Sequence, residues 1–206
     1  MGLFETFYDQ GLAPLERFGL AGLRRRLLNG LASQVVLEIG IGTGLGLQAY
    51  APGQAVLGLD PRRPFLYRAR QKAARWGVAL HPVQGDTQAL PFPDGIFDLV
   101  VAQLVFCTVP DPLHGLREVY RVLRPGGLLV ALEHVRYPKG SLAWLQSAAT
   151  PLWKHLAGGC HLDRDTIALV KEAGFTLSRV ERYLGGLLVT VQASRPPIEA
   201  GVLCAH

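Results

Sequence analysis

Glu38 stands two residues ahead of a glycine-rich turn, in the run Val35-Val36-Leu37-Glu38-Ile39-Gly40-Ile41-Gly42-Thr43-Gly44. An apolar, β-branched run that enters such a turn reads as a buried strand delivering backbone N–H groups to a ligand. A dinucleotide fingerprint spaces its glycines G-x-G-x-x-G, so that a helix N-terminus approaches a pyrophosphate. Counted from Gly40 the third glycine falls on Leu45, and counted from Gly42 it falls on Leu47, so both registers fail. The glycines recur instead at positions 40, 42, 44 and 46. A carboxylate at 38 repels a diphosphate and attracts a cationic amino group. Spacing and charge together favour a ligand with an amino-acid moiety and disfavour the alternative, an NAD oxidoreductase.

Other residues carry recognisable chemistry. Asp60 ends Leu57-Gly58-Leu59-Asp60, twenty residues beyond the first glycine, where an acceptor-only side chain takes the two vicinal hydroxyls of a ribose. Asp86, in Gln84-Gly85-Asp86-Thr87, is a second acceptor at a strand end, or a simple turn cap. His134 has the near-neutral ring of a base that removes a proton from a thiol, phenol or hydroxyl; the other reading is a histidine that caps a strand. Cys160 and His161 line an acceptor site or merely close the Gly158-Gly159 turn. The cysteines, Cys107, Cys160 and Cys204, are odd in number, far apart and free of any C-x-x-C pair. That usage fits a reduced, cytoplasmic chain, and no Cys/His spacing suits a metal.

These residues must be held by a scaffold. Apolar runs near Val35–Ile39, Ala55–Leu59, Ala79–Val83, Phe97–Ala102 and Leu128–Glu133 alternate with helical periods at Gly44–Tyr50, Pro64–Trp76 and Pro112–Val122. The pattern predicts an α/β fold with a doubly wound, mostly parallel sheet covered by helices on both faces. Thr176–Tyr183 and Leu187–Gln192, split by Leu184-Gly185-Gly186, read as an antiparallel C-terminal hairpin. Residues 1–33, with Phe4, Phe7, Tyr8, Leu12, Leu15 and Phe18 at roughly helical spacing, form a lead-in that precedes a single domain over 34–194. Residues 135–165, with Trp144 and Trp153, form an insertion, and residues 195–206, from Arg195-Pro196-Pro197 onward, read as a frayed tail.

The run LEIGIGTG resembles the nucleoside-binding loop of the class I S-adenosylmethionine (SAM) dependent methyltransferases: an acidic residue, one position, then G-x-G-x-G. Leu90-Pro91-Phe92-Pro93-Asp94-Gly95-Ile96-Phe97-Asp98 is similar to that family's passage into its fourth strand, and Arg121-Val122-Leu123-Arg124-Pro125-Gly126-Gly127 to its passage into the fifth. The resemblance implies a seven-stranded sheet whose last strand inserts antiparallel between strands five and six. It implies SAM as the cofactor, held by Glu38, Gly40, Gly42 and Gly44 near its amino end and by Asp60 at the ribose. Phe65 would pack on the adenine, Asp86 would accept from its exocyclic amine with Thr87 beside it, and Gln103 would lie by the methyl group. Asp98 is expected to bond the loop beneath the glycine turn. Leu132-Glu133-His134-Val135, followed by Trp144, Gln146, Pro151, Trp153, Cys160 and Asp163-Arg164, further resembles methyltransferase-like thiol methyltransferases and their bacterial relatives. That likeness places His134 over the cleft as the candidate base and Tyr8, Trp144, Cys160 and His161 in the acceptor pocket.

Composition sets the outer bounds. A chain of 206 residues, 49% hydrophobic, sustains one well-buried domain. The net charge of +5 is dispersed except for Arg24-Arg25-Arg26, so no nucleic-acid partner is expected. No apolar stretch approaches the ~20 residues of a membrane span. The expected partner is a small-molecule acceptor: a thiol first, a quinol or phospholipid amine second, the latter with peripheral membrane contact by the apolar lead-in. A non-catalytic SAM-binding protein is the alternative from another class.

Overall fold

The computed structural model describes residues 9–11, 13–31, 36–138, 140–156 and 159–197. A π-helical turn, Glu16–Leu20, kinked at Gly19, runs into helix α1 (Ala21–Leu28). Then follow β1 (Val36–Ile39), a 3-10 turn (Leu45–Ala49), β2 (Ala55–Asp60), α2 (Arg63–Trp76), β3 (Ala79–Gln84), β4 (Phe97–Gln103), α3 (Pro112–Val122) and β5 (Leu123–His134). The chain continues through α4 (Ser141–Leu156), α5 (Thr166–Glu172), β6 (Thr176–Tyr183) and β7 (Leu188–Ser194).

The seven strands form one sheet in the order β3-β2-β1-β4-β5-β7-β6. Strands β1 to β5 pair in parallel, and β7 runs antiparallel between β5 and β6. This is the order the resemblance implied. Strand alternation sends Leu37, Ile39, Val100, Ala102, Leu129 and Ala131 to one face, where Leu116, Val119 and Val122 of α3 meet them. The other face carries Val36, Leu99, Val101, Val130 and Leu132 against Leu20, Leu27 and Leu28 of the N-terminal helices. Each Val, Leu or Ile side chain fully buried this way contributes about 1.5–3 kcal/mol. Apolar residues on both faces explain why the central strands read as unbroken hydrophobic runs. The edge strand β3 is half exposed and tolerates Pro82, which cannot donate to a ladder.

Several expectations change. The helix read from Gly44 is a short 3-10 turn, because Leu45–Ala49 is all that separates the glycine turn from Tyr50. The segment 135–165, read as an insertion, carries the 16-residue helix α4. Its Pro151 sits inside the helix, and Gln146 fastens it by accepting from Tyr137 N (2.7 Å) and donating to Val135 O (3.2 Å). Asp98 lies at the start of β4, the far end from the glycine turn, and pairs with Arg124. Arg195, read with the tail, donates to the carbonyls of Tyr120, Arg121 and Leu123 (3.1, 3.1 and 2.6 Å). A cation there satisfies orphan carbonyls at the end of α3 and complements the helix dipole.

Candidate functional site

The sheet order reverses between β1 and β4, the position at which open α/β sheets bind ligands beyond their strand ends. The turn after β1 occupies that crevice. Gly40, Gly42 and Gly44 all have positive φ (56°, 58° and 82°). At Gly44 a side chain is barred twice, by the left-handed backbone and by Ala69 Cα, 2.9 Å from where a Cβ would lie. The turn therefore rests directly on α2. Asp60 organises it from below: its Oδ2 accepts from Gly42 N (3.0 Å) and its Oδ1 from Arg62 N (2.8 Å). Burial raises the Asp60 pKa, and these two N–H groups oppose the rise. Each carboxylate oxygen keeps acceptor capacity beyond its backbone bond.

Glu38 is fully enclosed. Its Oε1 accepts from Gln103 Nε2 (3.1 Å), while Oε2 completes no hydrogen bond. The Tyr50 hydroxyl lies beside the carboxyl and lowers its pKa, yet it too lacks a bond of good geometry. Desolvation outweighs Tyr50, Arg24 and Gln103, and holds the Glu38 pKa at about 7. Gln103 in turn accepts from Arg24 Nη1 (2.6 Å), and Arg24 Nε donates to Glu16 (3.1 Å). A buried chain, Glu16–Arg24–Gln103–Glu38, thus joins the N-terminal helices to the turn. Gly46 has no room for a side chain, because a Cβ would fall 2.4 Å from Gln103 Nε2 and 2.7 Å from Glu38 Oε1. Neither Glu16 nor Arg24 was identified as a site residue from sequence. Arg24 sits in a basic run that reads as solvated, and only its register, facing Leu27 and Leu28 inward, marks it as buried.

Other anticipated residues take varied places. Phe65 is 1% exposed, beneath the turn, with the Arg62 guanidinium 3.6 Å above its ring. Asp86 is exposed at the end of β3 and accepts from Gln88 N (2.9 Å), whereas Thr87 is buried. Gln88, not anticipated, also accepts from Asp111 N (2.8 Å) and so ties the β3 loop to the start of α3. His134 is the last residue of β5, not one beyond it, and pairs with Leu188. Alternation puts it on the face shared by Glu38 and Gln103, with Nδ1 buried and unpartnered. Burial lowers its pKa.

Trp144 lines a cavity of about 560 Å³ that opens beyond β5, walled by Arg136, Tyr137, Asp163, Asp165 and Arg182. Cys160 and His161 lie elsewhere, against the loop after β4, where His161 N donates to Cys107 O (2.7 Å). Tyr8 lies outside the described residues. Among the described residues no group of three or more His, Cys, Asp or Glu side chains could hold a metal ion.

At the glycine turn itself only about 30 Å³ stays open, walled by Arg24, Glu38, Thr43, Leu45 and Gln103. That is room for about one water. Beside it, Asp9 accepts from Thr43 Oγ1 (2.5 Å) and from Lys72 Nζ (2.8 Å), and Lys72 also donates to Thr43 (3.0 Å).

The sheet order and the turn at its switch point define an open α/β fold with a glycine-lined crevice beyond its strand ends. Comparison with known proteins makes the class specific. The methyltransferase domain family matches residues 37–131. Human thiol S-methyltransferase TMT1A is 32% identical over 183 residues, 86% of this chain and 74% of that protein. Human thiol S-methyltransferase TMT1B is 39% identical over 160 residues, 75% of this chain and 66% of that protein, so the chain spans just under two thirds of its length. A phosphatidylethanolamine N-methyltransferase of Cereibacter sphaeroides is 43% identical over 117 residues, 55% of this chain and 57% of that protein. The chain belongs to the class I methyltransferases, a family that in general uses SAM.

Proposed function

We propose that this protein transfers the methyl group of SAM to a small-molecule nucleophile, with a thiol as the favoured acceptor. The observation that carries the donor is the glycine turn at the switch point of the sheet, where Glu38 and Gln103 line the same small opening. A carboxylate there favours the ammonium of an amino-acid moiety, directly or through a water. The chemistry of the other residues fits the same ligand. Asp60 keeps acceptor capacity for the ribose hydroxyls, Asp86 for an exocyclic amine, and Gln103 borders the same pocket. SAM supplies a methyl group already activated on a sulfonium. The chain has to align the acceptor with that methyl, and alignment alone is worth about 7–11 kcal/mol in the best oriented systems.

Similarity to the thiol methyltransferases favours the acceptor class, since 160 matched residues must run well beyond the 95 of the shared domain (37–131). The cavity lined by residues of the 135–165 segment offers a place for a small acceptor, within the usual range of about 300–1,000 Å³ for small-molecule sites. A thiol near pKa 8.5 needs little help to ionise. Burial lowers the His134 pKa and so weakens it as a base, and its unpartnered Nδ1 is the candidate to take that proton.

One observation favours a lipid-borne acceptor as the second reading. Helix α4 exposes Leu142, Trp144, Leu145, Leu152 and Trp153, an apolar face for a bilayer surface. No helix among the described residues is long and apolar enough to cross a membrane.

Calorimetry on the purified chain is expected to show binding of SAM and its demethylated product but not of NAD; NAD binding without SAM binding would overturn the donor. Labelled-methyl transfer across thiols, quinols and phosphatidylethanolamine vesicles is expected to favour thiols. Transfer confined to vesicle lipids would replace the first acceptor reading with the second. In the same assay His134→Ala keeps SAM affinity and slows turnover; unchanged turnover on every acceptor removes it as the base.

A further inference from the structure

The two cysteines that sequence spacing keeps apart are brought into contact by the fold. Cys107 lies in the loop after β4, and Cys160 lies beyond α4. The His161 N to Cys107 O bond (2.7 Å) fastens the two backbones side by side. Both cysteines are free thiols, Cys107 buried and Cys160 partly exposed, and their side chains lie near enough for each to shift the ionisation of the other.

The surroundings hold this pair rigidly. Glu133 accepts from the N–H groups of Val105, Phe106 and Cys107 (2.9, 3.1 and 3.2 Å). Arg164 binds the opposite side of the loop, donating to Phe106 O and Val109 O (2.6 and 2.5 Å). The Cys107 thiol, its indole neighbour Trp153 and the Arg164 charge hold the Cys160 pKa down to about 7, against burial. The neighbouring Cys160 sulfur, burial and Glu133 push Cys107 up. One sulfur is thus accessible and readily ionised, and the other is shielded and waits beside it. That division of labour separates an attacking thiolate from a resolving thiol.

We propose that Cys107 and Cys160 form a peroxide-sensitive dithiol that closes to an intramolecular disulfide. The Cys160 thiolate attacks one oxygen of hydrogen peroxide, forming an S–O bond as the O–O bond breaks, and hydroxide leaves. The resulting sulfenic acid meets Cys107; an S–S bond forms, the S–O bond breaks, and the Cys107 proton leaves with the oxygen as water. Sulfur is oxidised and peroxide is reduced in balance. The cross-link ties the 160–164 loop to the loop after β4. That loop touches the glycine turn: a Cβ on Gly40 would lie 2.7 Å from Val105. Oxidation therefore fixes a segment packed directly against the ligand crevice.

The test treats the reduced full chain with hydrogen peroxide, alkylates remaining thiols and maps peptides by mass. The expected product is a linked pair joining residues 107 and 160, with Cys204 alkylated, and full reversal by dithiothreitol. Cys160→Ser is expected to leave Cys107 reduced under the same dose. Cys107→Ser is expected to trap Cys160 as a sulfenic acid that a dione probe labels at least ten-fold more than in the parent. Over-oxidation of Cys160 without linkage, linkage to Cys204 alone, or persistence of both thiols in the parent overturns the proposal, and none of these readings depends on methyl transfer.

Discussion

Two buried carboxylates, Glu38 and Glu133, set the pH response of the folded chain. Burial raises each pKa from 4.5 to about 7. Between those values the folded state holds protons the unfolded state has released, so stability falls as pH rises through that window and stays low above it. A shift of this size corresponds to on the order of 3 kcal/mol per group. Glu38→Gln is expected to remove roughly half of the loss in urea midpoint between pH 5 and pH 8, and an unchanged pH slope would sink this assignment. What sequence made legible here was the carboxylate and its ligand preference, because charge and glycine spacing are local facts. Its protonation was not legible, because it depends on enclosure by Tyr50, Gln103 and α1, which come from distant parts of the chain. The Asp98–Arg124 pair was hidden for the same reason, since it is fixed by the pairing of β4 with β5.

At the scale of elements, the strands and their order were readable because apolar runs and glycine turns recur with βαβ spacing. Helix α4 was not, since Pro151 and the tryptophans look like loop punctuation until Gln146 pins the helix to the 135–137 strand exit. The N-terminal helices carry a hidden role as well. Arg24 is 4% exposed and joins Glu16 to Gln103, so α1 helps to hold the β4 end of the crevice. Removing one partner of a buried ionic chain leaves an unpaired charge and costs roughly 3–5 kcal/mol. Arg24→Met is expected to lower stability by that amount in chemical denaturation, and adding Glu16→Leu to recover part of it. A double variant no more stable than the single one would show that Arg24 acts through packing alone.

Across the whole molecule, the opening at the glycine turn and the size of the proposed ligand do not match, and the N-terminal segment accounts for the difference. A nucleoside-bearing ligand needs more room than about one water, so some part of the crevice wall has to move, and the Asp9 bonds to Thr43 and Lys72 are the contact expected to give way. Burial lowers the Lys72 pKa and Asp9 restores part of it, so the clamp is a partly desolvated pair. A gate of this kind reduces the apparent affinity by the fraction of molecules that are open. Asp9→Ala removes the acceptor that both Lys72 and Thr43 use, while leaving Glu38, Asp60 and Gln103 in place. Stopped-flow measurement is expected to show SAM associating several-fold faster with Asp9→Ala than with the parent, and at a rate that no longer saturates at high SAM. If the two proteins associate at the same rate, the N-terminal segment does not gate the crevice, and the turn must open instead by movement of the 3-10 segment Leu45–Ala49.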